Sequence, residues 1–256
     1  MLDKFQIKTR SNLDMQLQFE TTISPIGLAV VMHGLGGNKD NSQNTSFRKI
    51  LLSHNYAVVS FDCIHTFHKS GGNYENATAT SYLEDLEDAI AFIKKQPWYQ
   101  EPFVLVGHSL GSLAIFIWAH RNQNKVKGIA PLCTVVNLET TLSALPKDLQ
   151  AEWIKTGWAI LEPPHNNIVK KLRWPEFLED LKQYDLIKVA PEMKIPILLM
   201  VGSNDRTTPI DTQEKLFKAL STKKELHIIN GATHRFKNSD FEQITPIFSR
   251  WLINLE

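Results

Sequence analysis

The sequence predicts an α/β architecture: a mostly parallel sheet of eight strands with helices on both faces. Three observations lead there. Short apolar runs alternate with helix-length amphipathic stretches along most of the chain. The central runs are nearly continuous in Val, Ile, Leu and Phe, as strands covered on both faces must be. With 256 residues, 43% apolar and 21% charged, the chain can bury a sizeable core as one α/β unit.

Residues 5–9 and 15–19 alternate polar and apolar side chains, which suits an antiparallel pair at a sheet edge. LAVVM (28–32), AVVSF (57–61), FVLV (103–106), GIAPL (128–132) and ILLMV (197–201) read as parallel strands, and 224–229 as the last strand. Residues 82–95 set Leu83, Leu86, Ile90 and Ile93 on one helical face, and Pro97 limits continuation. Acids early and lysines late in this stretch also suit the helix dipole. Residues 110–120, 212–220 and 240–254 read as three further helices. Such alternation requires right-handed crossovers in a parallel sheet.

From 134 to 193 the rhythm breaks. No strand is read there, and Pro146, Pro163, Pro164, Pro175 and Pro191 divide the stretch into short helical pieces. Trp153, Trp158 and Trp174 all fall within it. The expected organisation is a core of residues 1–133 and 194–256, with 134–193 inserted as a small helical cap over the C-terminal edge of the sheet.

Composition narrows the function classes. Lys plus Arg number 28 against 27 Asp plus Glu, a formal net charge of +1. That balance argues against nucleic acid or an anionic membrane as partner. No segment approaches the roughly 20 apolar residues that cross a bilayer, so stable membrane insertion is not expected. The opening MLDKFQIKTRSNLD is charged throughout and lacks the apolar core of a secretory signal, so a cytoplasmic location is expected. Cys63 and Cys133 form neither a metal-ligand spacing nor a disulfide framework, and read as small buried thiols.

The strongest chemical signal is Gly107-His108-Ser109-Leu110-Gly111, directly after FVLV and before an apolar helix. In that strand–turn–helix context a G-x-S-x-G sequence exposes the serine in a tight turn, at a helix N-terminus that favours developing negative charge. A serine hydroxyl needs a base within hydrogen-bond reach. Of nine histidines, His33, His65, His68, His108 and His165 fall near loops, but His234, in GATHRF after the last strand, best reaches the sheet's C-terminal edge. The base needs an orienting acid. Asp205, in VGSNDRTTP just past ILLMV, supplies it, while the rival Asp211 reads as a cap for the following helix. The order Ser109, Asp205, His234 matches the nucleophile-elbow arrangement.

His33-Gly34-Leu35-Gly36-Gly37 follows LAVVM, where a glycine loop can bring backbone N–H groups to an oxyanion. The donors are assigned to Leu35 and Leu110. His33 and His108 are placed beside the substrate, His33 chiefly bracing the loop, and Trp153 and Trp158 are placed in the acyl pocket.

On the motifs HGLGG, GHSLG, GSNDRTTP and GATHRF the chain resembles the α/β-hydrolase superfamily over nearly its whole length. FDCIHTFHKSGG is similar to that superfamily's loop after the fourth strand, D-x-R-G-x-G-x-S, with the arginine and first glycine absent. FLEDLKQYDLIKVAPEMKIPILLMVGSND resembles bacterial carboxylesterases of the cinnamoyl or feruloyl esterase group with a short cap. The resemblance implies an acyl-enzyme mechanism on small-molecule ester or thioester substrates, with no metal and no organic cofactor. A carboxylesterase leads. A thioesterase comes next, then a peptidase, disfavoured because the chain has no propeller-like companion domain to restrict access. A non-enzymatic binder of the same fold is the alternative of a different class. Dehalogenation or epoxide opening would want an acid in place of Ser109. Oligomeric state stays open.

Overall fold

Along a strand every second side chain points to the opposite face, so a strand apolar at every position must be covered on both sides. The computed structural model, which describes residues 1–161 and 169–255, meets that demand. In chain order the elements are β1 (Leu2–Lys8), β2 (Asp14–Glu20), β3 (Gly27–Met32), α1 (Ser42–Ser53), β4 (Tyr56–Asp62) and α2 (Ala79–Ile93). Next come β5 (Phe103–His108), α3 (Leu110–Arg121), β6 (Val126–Leu132), α4 (Leu138–Ser143) and α5 (Lys147–Thr156). The remainder is β7 (Trp158–Ile160), β8 (Lys171–Arg173), α6 (Trp174–Leu181), α7 (Leu186–Val189), β9 (Ile197–Gly202), α8 (Ile210–Ala219), β10 (Lys224–Ile229) and α9 (Phe241–Ile253).

The main sheet has eight strands in the order β1-β2-β4-β3-β5-β6-β9-β10. β2 runs antiparallel to β1 and β4, and the other pairings are parallel. Leu28, Val30 and Met32 of β3 join one core layer with Leu83 and Leu86 of α2, Leu113 of α3 and Leu216 of α8. Ala29 and Val31 join the other, with Phe47 of α1 and Ile244, Phe248 and Trp251 of α9. The chain leaves β3 for β4 on one side and returns to β5 on the other. The loops after β3 and β5 therefore diverge, opening a crevice at the C-terminal ends of these two strands.

Two expectations need correcting. The stretch between β6 and β9 is not wholly helical, because β7 and β8 pair antiparallel, Trp158 opposite Arg173. Three residues per strand are too few to leave a readable period. Helix α1 was not anticipated either. Its apolar contribution is chiefly Phe47, Ile50 and Leu51, while Gln43, Asn44 and Arg48 are buried polar residues. Their partners come from elsewhere: Gln43 accepts from the Phe236 N–H (3.2 Å) and Arg48 pairs with Glu20 (2.7 Å). A polar helix face satisfied by remote groups looks exposed in sequence. Pro163, Pro164 and His165 lie outside the described residues. Among the described helices none is long and apolar enough to cross a membrane.

Phe47 is wholly buried and meets Phe241 and Phe248 edge-on, at 5.1 and 5.2 Å between ring centroids. Phe47→Ala is expected to cost about 3–5 kcal/mol of stability, the usual range for truncating a buried aromatic, read from the urea midpoint at unchanged slope.

Candidate active site

β5 ends at His108 and α3 begins at Leu110, so Ser109 alone turns the chain between them. It does so at φ 54°, ψ −117°, a conformation that costs a non-glycine residue on the order of 1–3 kcal/mol. Backbone hydrogen bonds hold it there. The Ser109 N–H donates to Leu132 O (2.8 Å), and the Ser112 and Leu113 N–H groups donate to Ser109 O (3.0 and 3.3 Å). The buried Ser112 hydroxyl lies 2.6 Å from Gly107 O and accepts from the Leu132 N–H at 2.9 Å, tying the ends of β5 and β6 together. The flanking glycines are steric necessities. A Cβ on Gly107 would stand 2.7 Å from Gly111 O, and one on Gly111 would stand 2.4 Å from His33 O.

The structure brings Ser109, His234 and Asp205 into one hydrogen-bonded chain. The Ser109 hydroxyl lies 3.0 Å from His234 Nε2, and His234 Nδ1–H donates to Asp205 Oδ2 at 2.9 Å. Asp205 is 5% exposed and fully satisfied: Oδ1 accepts from the Thr207 and Thr208 N–H groups (2.8 and 2.9 Å), and Oδ2 also accepts from the Thr208 hydroxyl (2.8 Å). Burial acts to raise the Asp205 pKa. The hydrogen bond and charge of His234, followed by the donors of Thr208, outweigh it and hold the carboxyl well below the usual carboxylate range. Asp211, the rival acid, sits in the first turn of α8, whose N-cap is Pro209.

Leu35 lies on the loop after β3, beside Ser109. Leu110 is the first residue of α3, where a backbone N–H has no partner within its own helix. The loop is pinned from beneath. Gly34 O accepts from the Gly37 N–H (2.9 Å), His33 Nδ1–H (2.8 Å) and the Tyr82 hydroxyl (3.1 Å). His33 Nε2 accepts from the Cys63 N–H at 2.9 Å. The fully buried Asp62 accepts from the Lys39 N–H (2.7 Å) and from His68 Nδ1 (2.6 Å), with Lys39 Nζ 3.7 Å away.

Some assigned residues sit elsewhere than beside a substrate. His33 is buried in this brace and lines neither cavity at Ser109. His108 lines one of them, but its Nε2–H donates to the His234 carbonyl (2.7 Å), anchoring the histidine loop. Burial, then repulsion from His234, pushes the His108 pKa down to about 3, so the ring is neutral. Trp153 lines the larger cavity and packs edge-on against Trp174 at 5.0 Å. Trp158 lines neither, and carries Lys171 Nζ 4.2 Å from its ring centroid. Sequence reasoning missed Thr208, Ser112 and Tyr82. Thr208 alone had a visible signal, three residues past the proposed acid.

Two cavities meet at Ser109. One of about 290 Å3 runs along the 34–43 loop, and one of about 760 Å3 is walled by Leu145, Leu149, Trp153, Ile160 and Leu161. Leu35, Ser109, Lys170, His234 and Arg235 line both. Ligand atoms of His108, Cys133 and His234 lie within 4.8 Å of one another, near enough for a metal ion. The group is poorly suited to one. Both His234 nitrogens are engaged, and burial with the nearby Asp205 charge pushes the Cys133 thiol up, away from the thiolate a metal requires. The arrangement suits proton transfer from a serine hydroxyl through an imidazole held by a carboxylate.

A family profile described as "Serine aminopeptidase, S33" matches residues 23–190 and 168–239. The esterase EstD of Thermotoga maritima is 24% identical over 230 residues, 80% of this chain and 53% of the esterase, so the chain spans about half that relative's length. A 2-hydroxy-6-oxononadienedioate/2-hydroxy-6-oxononatrienedioate hydrolase of Pseudomonas putida is 24% identical over 87% of this chain and 86% of its own. Among solved structures, mouse alpha/beta hydrolase domain-containing protein 10 superposes with a TM-score of 0.79 at 17% identity, covering 99% of this chain and 100% of its own. Est1E of Butyrivibrio proteoclasticus, solved with ferulic acid bound, superposes with a TM-score of 0.79 at 17% identity, covering 98% of each chain. The resemblance to α/β-hydrolases and their esterases, first read in four motifs, is borne out.

A carboxyl held below its unfolded value contributes stability that is complete above the unfolded pKa and lost as pH falls through the folded one. Asp205→Asn is therefore expected to lower the urea midpoint near neutrality, and the gap from wild type should close as pH drops below about 4, the unfolded aspartate value. A gap that stays constant through that range would contradict the depressed pKa.

Proposed function

The chain belongs to the serine aminopeptidase S33 family of α/β-hydrolases, and from that premise we propose that it is a serine carboxylesterase acting through an acyl-enzyme on Ser109. The observation that carries the proposal is the continuous hydrogen-bonded path from the Ser109 hydroxyl through His234 to Asp205. His234 takes the hydroxyl proton as Ser109 attacks the ester carbonyl. Asp205 holds the ring in the tautomer with Nε2 unprotonated, and stabilises the imidazolium that forms. The backbone N–H groups of Leu35 and Leu110 meet the developing oxyanion, and losing one such donor typically costs about 3–4 kcal/mol of barrier. The proton then passes to the departing alcohol. Water repeats the sequence on the acyl-enzyme and frees the acid.

The family description names an aminopeptidase, which must bind a substrate ammonium group. Among the described residues the larger cavity is walled chiefly by Leu145, Leu149, Trp153, Ile160 and Leu161, an apolar surface that suits an acyl chain better than an ammonium group and favours the esterase.

Ser109→Ala is expected to lower kcat on 4-nitrophenyl acetate and butyrate by at least about 10^3-fold, as removal of an activated nucleophile does. A fluorophosphonate probe should label wild type on Ser109 and leave the variant unlabelled. Turnover surviving in Ser109→Ala would remove the proposal, and an inert Ser109 in wild type would favour a non-enzymatic binder.

A further inference from the structure

We propose that the smaller cavity at Ser109 receives the alcohol part of the substrate and selects alcohols carrying further neutral oxygens, such as polyols and sugars, an inference that rests on the esterase function proposed above. Three primary amides, Asn38, Asn41 and Gln43, line this cavity along one short stretch of chain. Each has its side-chain oxygen committed to a backbone N–H. Asn38 Oδ1 accepts from Asp40 (2.9 Å), Asn41 Oδ1 caps α1 by accepting from Asn44 (2.8 Å), and Gln43 Oε1 accepts from Phe236 (3.2 Å). A backbone N–H needs an acceptor, so these bonds decide which end of each amide is oxygen and leave the NH2 group as the other. Among the described residues none of the three NH2 groups has a hydrogen-bond partner, and none is sealed from solvent.

Gln43 makes the strongest case. It is only 6% exposed, yet its Nε2 keeps accessible surface, and the cavity it lines is the one beside Ser109. Water can meet that donor in the free protein. A substrate that displaces the water must supply an oxygen in its place or forfeit the bond. Ser42 and Gln43 also open α1, where first-turn backbone N–H groups lack acceptors within their own helix. This wall is therefore rich in neutral donors. No Asp or Glu is among the described residues lining the cavity, and Lys170 and Arg235, which also line it, already interact with other groups. Hydroxyl and ether oxygens are the acceptors such a wall recognises, whereas a hydrocarbon alcohol would strip its water and return nothing. The larger cavity, with Leu149 and Trp153 in its wall, is left for the acyl chain. Ser109 lines both, so the ester carbonyl sits where they meet.

The test uses octanoate esters whose alcohols share a shape with and without oxygens. 2-Methoxyethyl octanoate is set against butyl octanoate, and 2,3-dihydroxypropyl octanoate against 2-methylbutyl octanoate. Each kcat/KM ratio is divided by the ratio of rates in alkaline buffer, which removes the intrinsic reactivity of the leaving group. At least one corrected ratio is expected to reach about threefold or more in wild type, the scale of one neutral hydrogen bond. Gln43→Glu and Asn41→Asp keep the acceptor that the Phe236 or Asn44 N–H needs and remove the donor facing the substrate. The ratio is expected to fall at least about twofold in one or both. A merely structural role for these side chains would slow both esters alike and leave the ratio intact. Each ratio is read within a single protein sample, so partial unfolding of a variant cancels from it. Corrected ratios that all stay below about threefold in active wild type overturn this inference alone, as does a ratio that both variants keep. Wild type that hydrolyses neither these octanoates nor 4-nitrophenyl butyrate would instead overturn the esterase proposal beneath it.

Discussion

The site depends on how closely two backbones approach. Gly111, in the first turn of α3, lies so near the His33 carbonyl that a Cβ there would stand 2.4 Å from its oxygen. Gly34 is as tight, since a Cβ would stand 2.9 Å from both His108 O and Ser109 Cβ. No side chain larger than hydrogen fits at either place without moving backbone. This contact draws the loop after β3 against the turn after β5, so that Leu35, Leu110 and Ser109 share one corner. The unfavourable φ of Ser109 is the cost of that corner, offset by the hydrogen bonds to Leu132, Ser112 and Leu113.

Behind the corner lies a polar brace. A carboxylate as buried as Asp62 is tolerable only when paired and hydrogen-bonded, and Lys39 and His68 provide both. Its neighbours complete the support. His33 links the glycine loop to the Cys63 backbone, and Tyr82 reaches across from α2 to the same loop. The loop is therefore positioned by β4 and α2 as much as by its own glycines. Here the chain departs from the superfamily's D-x-R-G-x-G-x-S pattern. No arginine stands in FDCIHTFHKSGG; His68 meets the Asp62 carboxylate, and the Ser70 hydroxyl donates to the Asp62 carbonyl.

The histidine loop is held from two directions. His108 bonds the His234 carbonyl, while Gln43 of α1 accepts from the Phe236 N–H. Both partners are remote in the chain, so substitutions far from residue 234 can shift the imidazole. Asp205 is held more locally, by the N–H groups of Thr207 and Thr208 and the Thr208 hydroxyl. A carboxylate so fully satisfied is fixed before the ring docks on it. That asymmetry makes the acid the fixed end of the chain and His234 the adjustable one.

Much of this was legible in one dimension. Continuous apolar runs report burial on both faces wherever they occur, which is why the five central strands could be read, and polar–apolar alternation marked the edge pair β1 and β2. Glycines flanking Ser109, and an aspartate just past a strand, mark local backbone geometry that neighbouring residues largely set. Other features left no local trace. The buried polar face of α1 depends on Glu20 and Phe236, β7 and β8 are too short to show a period, and Trp158 turned out to carry Lys171 instead of an acyl group. The contact between Ser109 and His234 spans 125 positions. Short-range order in a polypeptide follows from adjacent side chains and allowed dihedrals. Juxtaposition across the sheet follows from packing the two core layers, and it exists only once both have closed.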